Sequence, residues 1–200
     1  MKQGILVRYM VTGMLIVTSW MITSCNSFNE HLPECRLFVK FKYDYNMLFT
    51  DAFHTQVDKV ELYVFDKEGL FLFKQMEEAL STGNYRMEVE LSVGEYQFMA
   101  WAGARDSYDI VSLIPGVSSI TELRLQLKRE ESLIVLHELE PLWYGEIHNI
   151  AFTGTDNQVE TINLIKDTNK VRFIFQGYSD DSWKLNVEDY DYEIIESNGH

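Results

Sequence analysis

An all-β, antiparallel sandwich of about seven strands is the fold this 200-residue chain predicts. Three observations lead there. Apolar and polar residues alternate with a period of two in segment after segment, the pattern of strands with one face buried. Turn-forming residues separate these segments at short intervals. Nowhere does a strand pattern lead through a long helical pattern into another strand, as a parallel sheet requires. Hydrophobic residues at 46% and aromatic residues at 14% supply ample material for a packed core, so disorder is not expected.

The chain opens on an export leader. Lys2 and Arg8 give a short positive region, and Met10 to Met21 form an apolar run too short for a comfortable membrane span. Ile22-Thr23-Ser24-Cys25 then fits a lipobox, an aliphatic residue and two small ones before cysteine. Small residues let the backbone enter a narrow protease cleft, and the Cys25 thiol accepts the lipid. Residues 1–24 are thus expected to be removed as a signal peptide, and residues 25–34 to act as a tether. A plain secretory signal is the alternative. If Cys25 is acylated, Cys35 has no intrachain partner and a disulfide framework is excluded; a Cys25–Cys35 bridge is the other reading for an exported protein. Cys35 lies just before a strand pattern, where a small buried residue is expected.

The strand patterns follow in order. Leu37, Val39, Phe41, Tyr43 and Tyr45 share one face. A short helix is expected over 46–54. Val60, Leu62 and Val64 alternate with Glu61, Tyr63 and Phe65, and Asp66-Lys67-Glu68-Gly69 turns the chain into Leu70–Lys74. The residues 75–80 favour a second short helix. Tyr85, Met87, Val89 and Leu91 alternate with charged residues, and Gly94 permits a hairpin into Tyr96, Phe98 and Ala100. Leu123, Leu125 and Leu127 form another strand. Ile162 and Leu164, the turn Asp167-Thr168-Asn169-Lys170, and Val171, Phe173 and Phe175 suggest a third hairpin. The core is expected to contain Leu37, Val39, Phe41, Val60, Leu62, Val64, Phe98, Leu125 and Phe173. One domain is expected over 35–183, ending in the polar stretch around 178–183, and a fresh strand pattern at Tyr190–Ile195 suggests that 184–200 begin a second, similar one.

Charge excludes several function classes. The full chain carries 17 basic and 31 acidic residues, net −14. Loss of the leader removes two bases and no acids, which takes the net charge to −16. Such a surface is unsuited to nucleic acid or to electrostatic docking on anionic lipid, so attachment to a membrane must come from acyl chains. A single chain binds marginally, whereas the several chains of a lipoprotein amino terminus hold durably.

Further segments join these in a set order: Leu32-Pro33-Glu34-Cys35, Phe41-Lys42-Tyr43-Asp44-Tyr45-Asn46-Met47, Asp51-Ala52-Phe53-His54, Val57 to Asp66, Val93 to Gly103, and Pro141-Leu142-Trp143-Tyr144-Gly145. As a set they resemble the fimbrial anchor lipoproteins of Bacteroidales bacteria, the FimB-type family, from about Cys25 to the chain end. The resemblance implies two transthyretin-like β-sandwich domains, an outer-membrane lipoprotein at the base of a surface fimbria, and no chemistry of its own. It implies a fimbrial subunit as partner. This chain departs from the family pattern by holding the first domain and only the start of the second.

Each candidate site has a competing reading. Tyr43-Asp44-Tyr45-Asn46 could bind metal or sugar, but Asp and Asn in such places usually bond nearby backbone. Asp51 and His54, with Asp58 beyond, have helical spacing, yet a metal would need a third ligand and a supporting shell; a solvated helix is the expectation. Trp101 ends an alternating strand and is expected in the core. Trp143 and Tyr144 follow Pro141, read here as a loop, and are the candidate contacts for a ligand or partner. His137 and His148 flank that loop with Glu138, Glu140 and Glu146, but no nucleophile accompanies them. Gly-rich phosphate loops, His-Glu-x-x-His, paired-cysteine metal motifs and Gly-x-Ser-x-Gly are all missing from the sequence. The expectation is a protein with no enzymatic activity, no cofactor, no metal and no small-molecule substrate, anchored by lipid at Cys25. A surface lipoprotein that captures glycan or peptide through Trp143 and Tyr144 is the alternative.

Overall fold

The computed structural model describes residues 35–80, 83–129 and 137–170, with residues 172, 174, 188, 190 and 191. The leader, Cys25, the tether up to residue 34, Phe173 and the expected domain boundary at 183 lie outside the described residues. The regular elements are almost all strands, arranged in two stacked sheets and a covering ribbon.

The larger sheet has five strands in the order β10-β8-β5-β2-β3: β2 (Lys59–Asp66), β3 (Phe71–Glu78), β5 (Gly94–Ala102), β8 (Trp143–Phe152) and β10 (Ile165–Lys166). All its pairings are antiparallel. The smaller sheet, in the order β4-β1-β9, holds β1 (Leu37–Lys42), β4 (Met87–Val89) and β9 (Gln158–Asn163). Leu37, Val39 and Phe41 from β1 face Val60, Leu62, Val64, Phe98 and Ala100 from the larger sheet, and Met87, Val89 and Ile162 complete the core. All seven of the expected core residues from β1, β2 and β5 are at most 5% exposed. Alternation decides this outcome, because a one-residue slip would turn every one of them to solvent. Leu125 is half-buried, in a satellite cluster on the outer side.

That outer side is the first feature the alternation did not foresee. A ribbon of β6 (Tyr108–Ile110) and β7 (Leu125–Leu127), with a 3-10 turn at Ile120–Glu122, lies over the outer face of the larger sheet. Tyr63, Phe65 and Phe71 pack there with Leu123, Met99, Trp101 and Ile110. Six consecutive residues of β2, from Val60 to Phe65, are therefore buried. Strand β2 is flanked by β3 and β5 and covered on both faces.

The first expected hairpin forms as read. Gly69, at a φ of 81°, takes the left-handed position of the β2–β3 turn, and Asp66 Oδ1 accepts from the Leu70 N–H at 2.8 Å. The second does not form. Strand β4 pairs with β1, and β5 pairs with β2 and β8; the chain between them crosses from one sheet to the other. Gly94 permits a turn but cannot choose the sheet its flanks join. The same holds at Leu164, which separates β9 in one sheet from β10 in the other. Strands β1 and β9 are also parallel, the exception in an otherwise antiparallel sandwich. More than a hundred residues separate the two, so no local turn specifies their direction.

The helix expected over 75–80 is also absent. Residues Gln75 to Glu78 continue β3 as an edge strand against β2; good helix formers were overridden by tertiary pairing. Of the helix expected over 46–54, only α1 (Phe53–Gln56) exists, and the preceding residues form a loop. Strand β8 was missed because its alternation slips. Trp143, Gly145 and half-buried Ile147 point inward, then Ile150 and Phe152 do. The slip accompanies Asn149, which has a φ of 60°, and a register shift between Tyr96 and Phe98 on the partner strand.

Candidate functional site

The segment around Trp143 and Tyr144 is not a loop but the start of β8, between β5 and β10. Alternation then sends the two side chains opposite ways. Trp143 points into the core, 2% exposed; Tyr43 meets its ring edge-on at 5.8 Å and Lys166 Nζ sits 5.2 Å from its centroid. A residue held this way cannot stack on a ligand without opening the sandwich. Tyr144 points outward, half-exposed, against Trp101 of β5 with ring centroids 4.7 Å apart. Its hydroxyl donates to Glu146, His148 Nε2 lies 3.4 Å from the same carboxylate, and His148 Nδ1 is 2.8 Å from Gln97 Oε1. Burial, then bonding to Glu146, pushes the Tyr144 hydroxyl pKa well up, and the Tyr144 bond heads the causes that hold Glu146 low. The result is an aromatic pair bordered by polar groups, in which Tyr144 is the more accessible ring: Trp101, expected in the main core, instead packs half-buried on the outer face against the covering ribbon.

The other sequence candidates serve the fold. Asn46 Nδ2 donates to Tyr43 O and Thr50 O at 2.7 and 2.8 Å, while its Oδ1 accepts from the Leu48 N–H. Asp51 Oδ1 accepts from the N–H groups of Tyr43 and Phe53, each at 3.0 Å. Asp58 pairs with Arg105 at 2.7 Å. His137 bonds Ser107 Oγ at 2.9 Å, and Glu140 accepts from the Ser107 N–H. Glu138 pairs with Lys170. Among the described residues no three His, Cys, Asp or Glu side chains group as metal ligands. Cys35 is a free, half-buried thiol at the entry to β1.

Two features went unnoticed in the sequence. The first is Glu61, 6% exposed on the outer face of β2. Lys59 and Lys74 reach its carboxylate at 3.0 and 3.1 Å, and Tyr63 donates to it at 2.9 Å. Burial pushes the Glu61 pKa up, but these three bonds outweigh it and hold the group below the usual carboxylate range. Burial and the adjacent Glu61 charge raise the Tyr63 hydroxyl far above its ordinary value. The cluster can fix the sheet under the covering ribbon. It holds no nucleophile.

The second is an opening between the free edges of β3 and β4, where the two sheets part. Phe73, Gln75 and Glu77 line one side, Glu88 and Glu90 the other, around a cleft of about 490 Å³. Gln75 Nε2 spans it to Glu88 O at 3.0 Å. Tyr85 donates to Glu77 at 2.8 Å, and Arg36 pairs with Glu88 at 2.8 Å. The start of β3 is already paired, because Phe71 exchanges backbone bonds with Ser118 and Gly116 at 2.8 Å each. From Phe73 onward β3 forms an outer edge of the five-stranded sheet. An edge left open beside an apolar side chain can accept another strand. Only topology reveals this cleft; the alternation of β3 reads the same at an edge as at a centre.

Similarity to known proteins follows the same architecture. The family model for fimbrillin-A associated anchor proteins Mfa1 and Mfa2 matches residues 32–200. A solved protein of Bacteroides thetaiotaomicron VPI-5482, of the DUF1812 group and described as a candidate polysaccharide-binding protein, is 71% identical with a TM-score of 0.76, over 83% of this chain and 59% of its own. A candidate adhesin from Bacteroides ovatus is 32% identical with a TM-score of 0.61, over 73% of this chain and 51% of its own. The fimbrial anchor protein Mfa2 from Porphyromonas gingivalis shares the fold at 17% identity and a TM-score of 0.56, over 66% of this chain and 50% of its own. The chain therefore spans between 50% and 59% of the length of these relatives. No curated protein matches it.

Proposed function

The chain belongs to the Mfa2 family of fimbrillin-A associated anchor proteins, and from that membership we propose that it is a surface lipoprotein that holds a fimbria to the outer membrane and limits its length. The family is one of structural anchors, not of enzymes. The observation that carries the reading is the family match across the whole described sandwich.

The physical logic has two parts. Lipid on Cys25 would fix one end to the outer membrane, and the short tether up to residue 34 would hold the sandwich clear of it. A fimbrial subunit would meet the other part of the molecule by adding an extended segment to an open edge. Backbone hydrogen bonds along such a strand give slow release. The β3–β4 cleft is the accepting seam we favour. It offers β3 from Phe73 onward, one apolar wall at Phe73, and three carboxylates at Glu77, Glu88 and Glu90, so a basic donor segment would suit it. A terminus built this way neither leaves the membrane nor accepts further subunits.

A second reading is capture of a glycan at the cell surface. Two observations favour it: the half-exposed Trp101–Tyr144 pair beside Glu146 and His148, and the description of the 71% identical relative. Deletion of the complete gene separates the two. Under the anchor reading the deletion strain sheds longer fimbriae into the medium, and Cys25→Ala sheds fimbriae while the protein stays folded. Unchanged fimbrial length and retention would remove the anchor reading and promote glycan capture, which binding of soluble polysaccharide to wild type but not Tyr144→Ala would then support.

A further inference from the structure

The most conspicuous unpartnered surface is the loop that follows β1. Tyr45 is 80% exposed, Met47 93%, Leu48 61% and Phe49 94%. Four large apolar side chains within five residues are rarely left to solvent in an isolated domain. Nor is the loop slack. Asn46 ties it across its width to Tyr43 O and Thr50 O, Ala52 N–H donates back to Tyr43 O at 2.9 Å, and Tyr43, Ala52 and Phe53 sink its base into the core. Phe49 holds a φ of 55°, a left-handed conformation that a bulky residue adopts only when its surroundings impose it. The sequence therefore sustains backbone strain to present an apolar tip in one fixed shape.

Position identifies what the tip meets. The chain enters the sandwich at Cys35 and Arg36, at one pole, where Arg36 O accepts from the Gln158 N–H. Strand β1 then runs six residues to Lys42, roughly 20 Å, and the loop crowns the opposite pole. The last continuous stretch described, Leu164 to Lys170, also lies at that second pole. Leu164 N–H donates to Lys42 O at 2.7 Å, Asp167 N–H to Leu142 O at 2.9 Å, and Thr168 Oγ1 accepts from the Leu142 N–H at 3.0 Å. Thirty residues follow Lys170, among them Trp183, Tyr192, Ile194 and Ile195, and the family match runs through all of them. A membrane reached through the tether would face the entry pole instead.

We propose that Tyr45, Met47, Leu48 and Phe49 form a preshaped knob that docks the part of the polypeptide following Lys170. The contact sets the direction in which the downstream portion leaves the first sandwich, in line with β1 and away from the tether. It lets a pull on that portion pass into β1 through packed side chains, not through the single covalent link at residue 170. The knob needs no charge on its partner, which suits a chain whose acidic surface repels itself elsewhere.

The test places a photo-crosslinking residue, p-benzoyl-phenylalanine, at Met47 in the full chain, illuminated both in cells and after purification. The expected product is an intrachain crosslink whose peptide lies beyond Lys170. A product of double mass, a crosslink to lipid or to another surface protein, a crosslink confined to residues 35–170, or no product would each overturn the proposal. A second measurement uses Met47→Ser with Leu48→Ser, which leaves the core untouched. Protease cleavage beyond Lys170 should accelerate about tenfold, the factor that corresponds to about 1.4 kcal/mol of lost docking, while melting of the sandwich stays unchanged. Equal cleavage rates in variant and wild type would also overturn it.

Discussion

Gln75 on β3 donates its side-chain N–H to the backbone carbonyl of Glu88 on β4, at 3.0 Å, and so ties together the free edges of the two sheets. Both strands lie at sheet edges, and the bond closes by a side chain what the backbone leaves open. Gln75→Ala should cost about 0.5–1.5 kcal/mol in urea unfolding, the ordinary worth of one hydrogen bond. If the seam accepts a donated strand, the same variant should capture a fimbrial subunit at least as well as wild type, because the tie no longer has to be displaced. Loss of capture in Gln75→Ala with stability intact would mean that Gln75 holds the donated strand and does not bar it, whereas capture unaffected by charge reversal at Glu77, Glu88 and Glu90 would move the accepting edge elsewhere, with β9 next in line.

Acid stability should report on Glu61. Its carboxyl is held below the ordinary range in the folded protein, so folding favours the ionised form. That stability is fully present above the unfolded value of about 4.3 and is lost as pH falls toward the lower folded value. Melting temperature should therefore drop below about pH 4.3 in wild type. In Glu61→Gln that part of the decline should be missing. The variant should also lose roughly 1–3 kcal/mol at neutral pH, because Lys59 and Tyr63 keep only a weaker acceptor. Identical acid limbs in the two proteins would show that Glu61 does not supply the linkage.

Leu62 lies at the centre of β2 with no exposed surface, between β3 and β5. Leu62→Ala should cost about 2–5 kcal/mol, with the larger loss if the cavity cannot collapse between two paired strands. A loss below about 1 kcal/mol would mean that the core is looser than its packing implies.

How legible the sandwich was depends on which residues carried the message. Leu37, Val39 and Phe41, and Val60, Leu62 and Val64, announced both their strands and their buried faces, because a period of two leaves one choice of face. Asp66 to Gly69 announced its turn through a residue that needs positive φ. Partner choice was not written locally. Nothing near Gly94 says that β4 joins β1, and nothing near Gln158 says that β9 runs parallel to β1. Asn149 hid β8 outright, since its bulge moves Ile150 and Phe152 off the phase set by Trp143 and Gly145. The same error turned Trp143 from a buried strand residue into an exposed loop residue. Tyr63 and Phe65 looked solvent-facing because the cover over them is contributed by Ile110 and Leu123, more than forty residues away. The candidate surfaces suffered most. The β3–β4 cleft exists only because two sheets happen to end side by side, and neither edge is visible in the sequence of its own strand.

Gly145 offers a final test of how the two sheets are joined. A Cβ built on it would meet Asn163 O and Ile162 Cγ2 at 2.6 Å and Leu164 Cδ2 at 3.0 Å. Glycine is required here by close approach. The β8 backbone lies against the end of β9, where the chain crosses from the smaller sheet to the larger. Asn163 O cannot retreat freely, because Asn163 pairs with Lys42 of β1 and the next residue donates to Lys42 O at 2.7 Å. Relief must come from parting the sheets or from bending β8, and overpacking of this kind costs about 1–3 kcal/mol. Gly145→Ala should thus lower the melting temperature by roughly 3–10 °C. Gly83→Ala is the matched control, since a Cβ there would meet nothing within 4 Å, and its change should stay within about 0.5 kcal/mol. Equal, small effects at both positions would mean that β8 and β9 are not pressed together at the crossing. The parallel pairing of β1 with β9 would then have to be held by its backbone ladder alone.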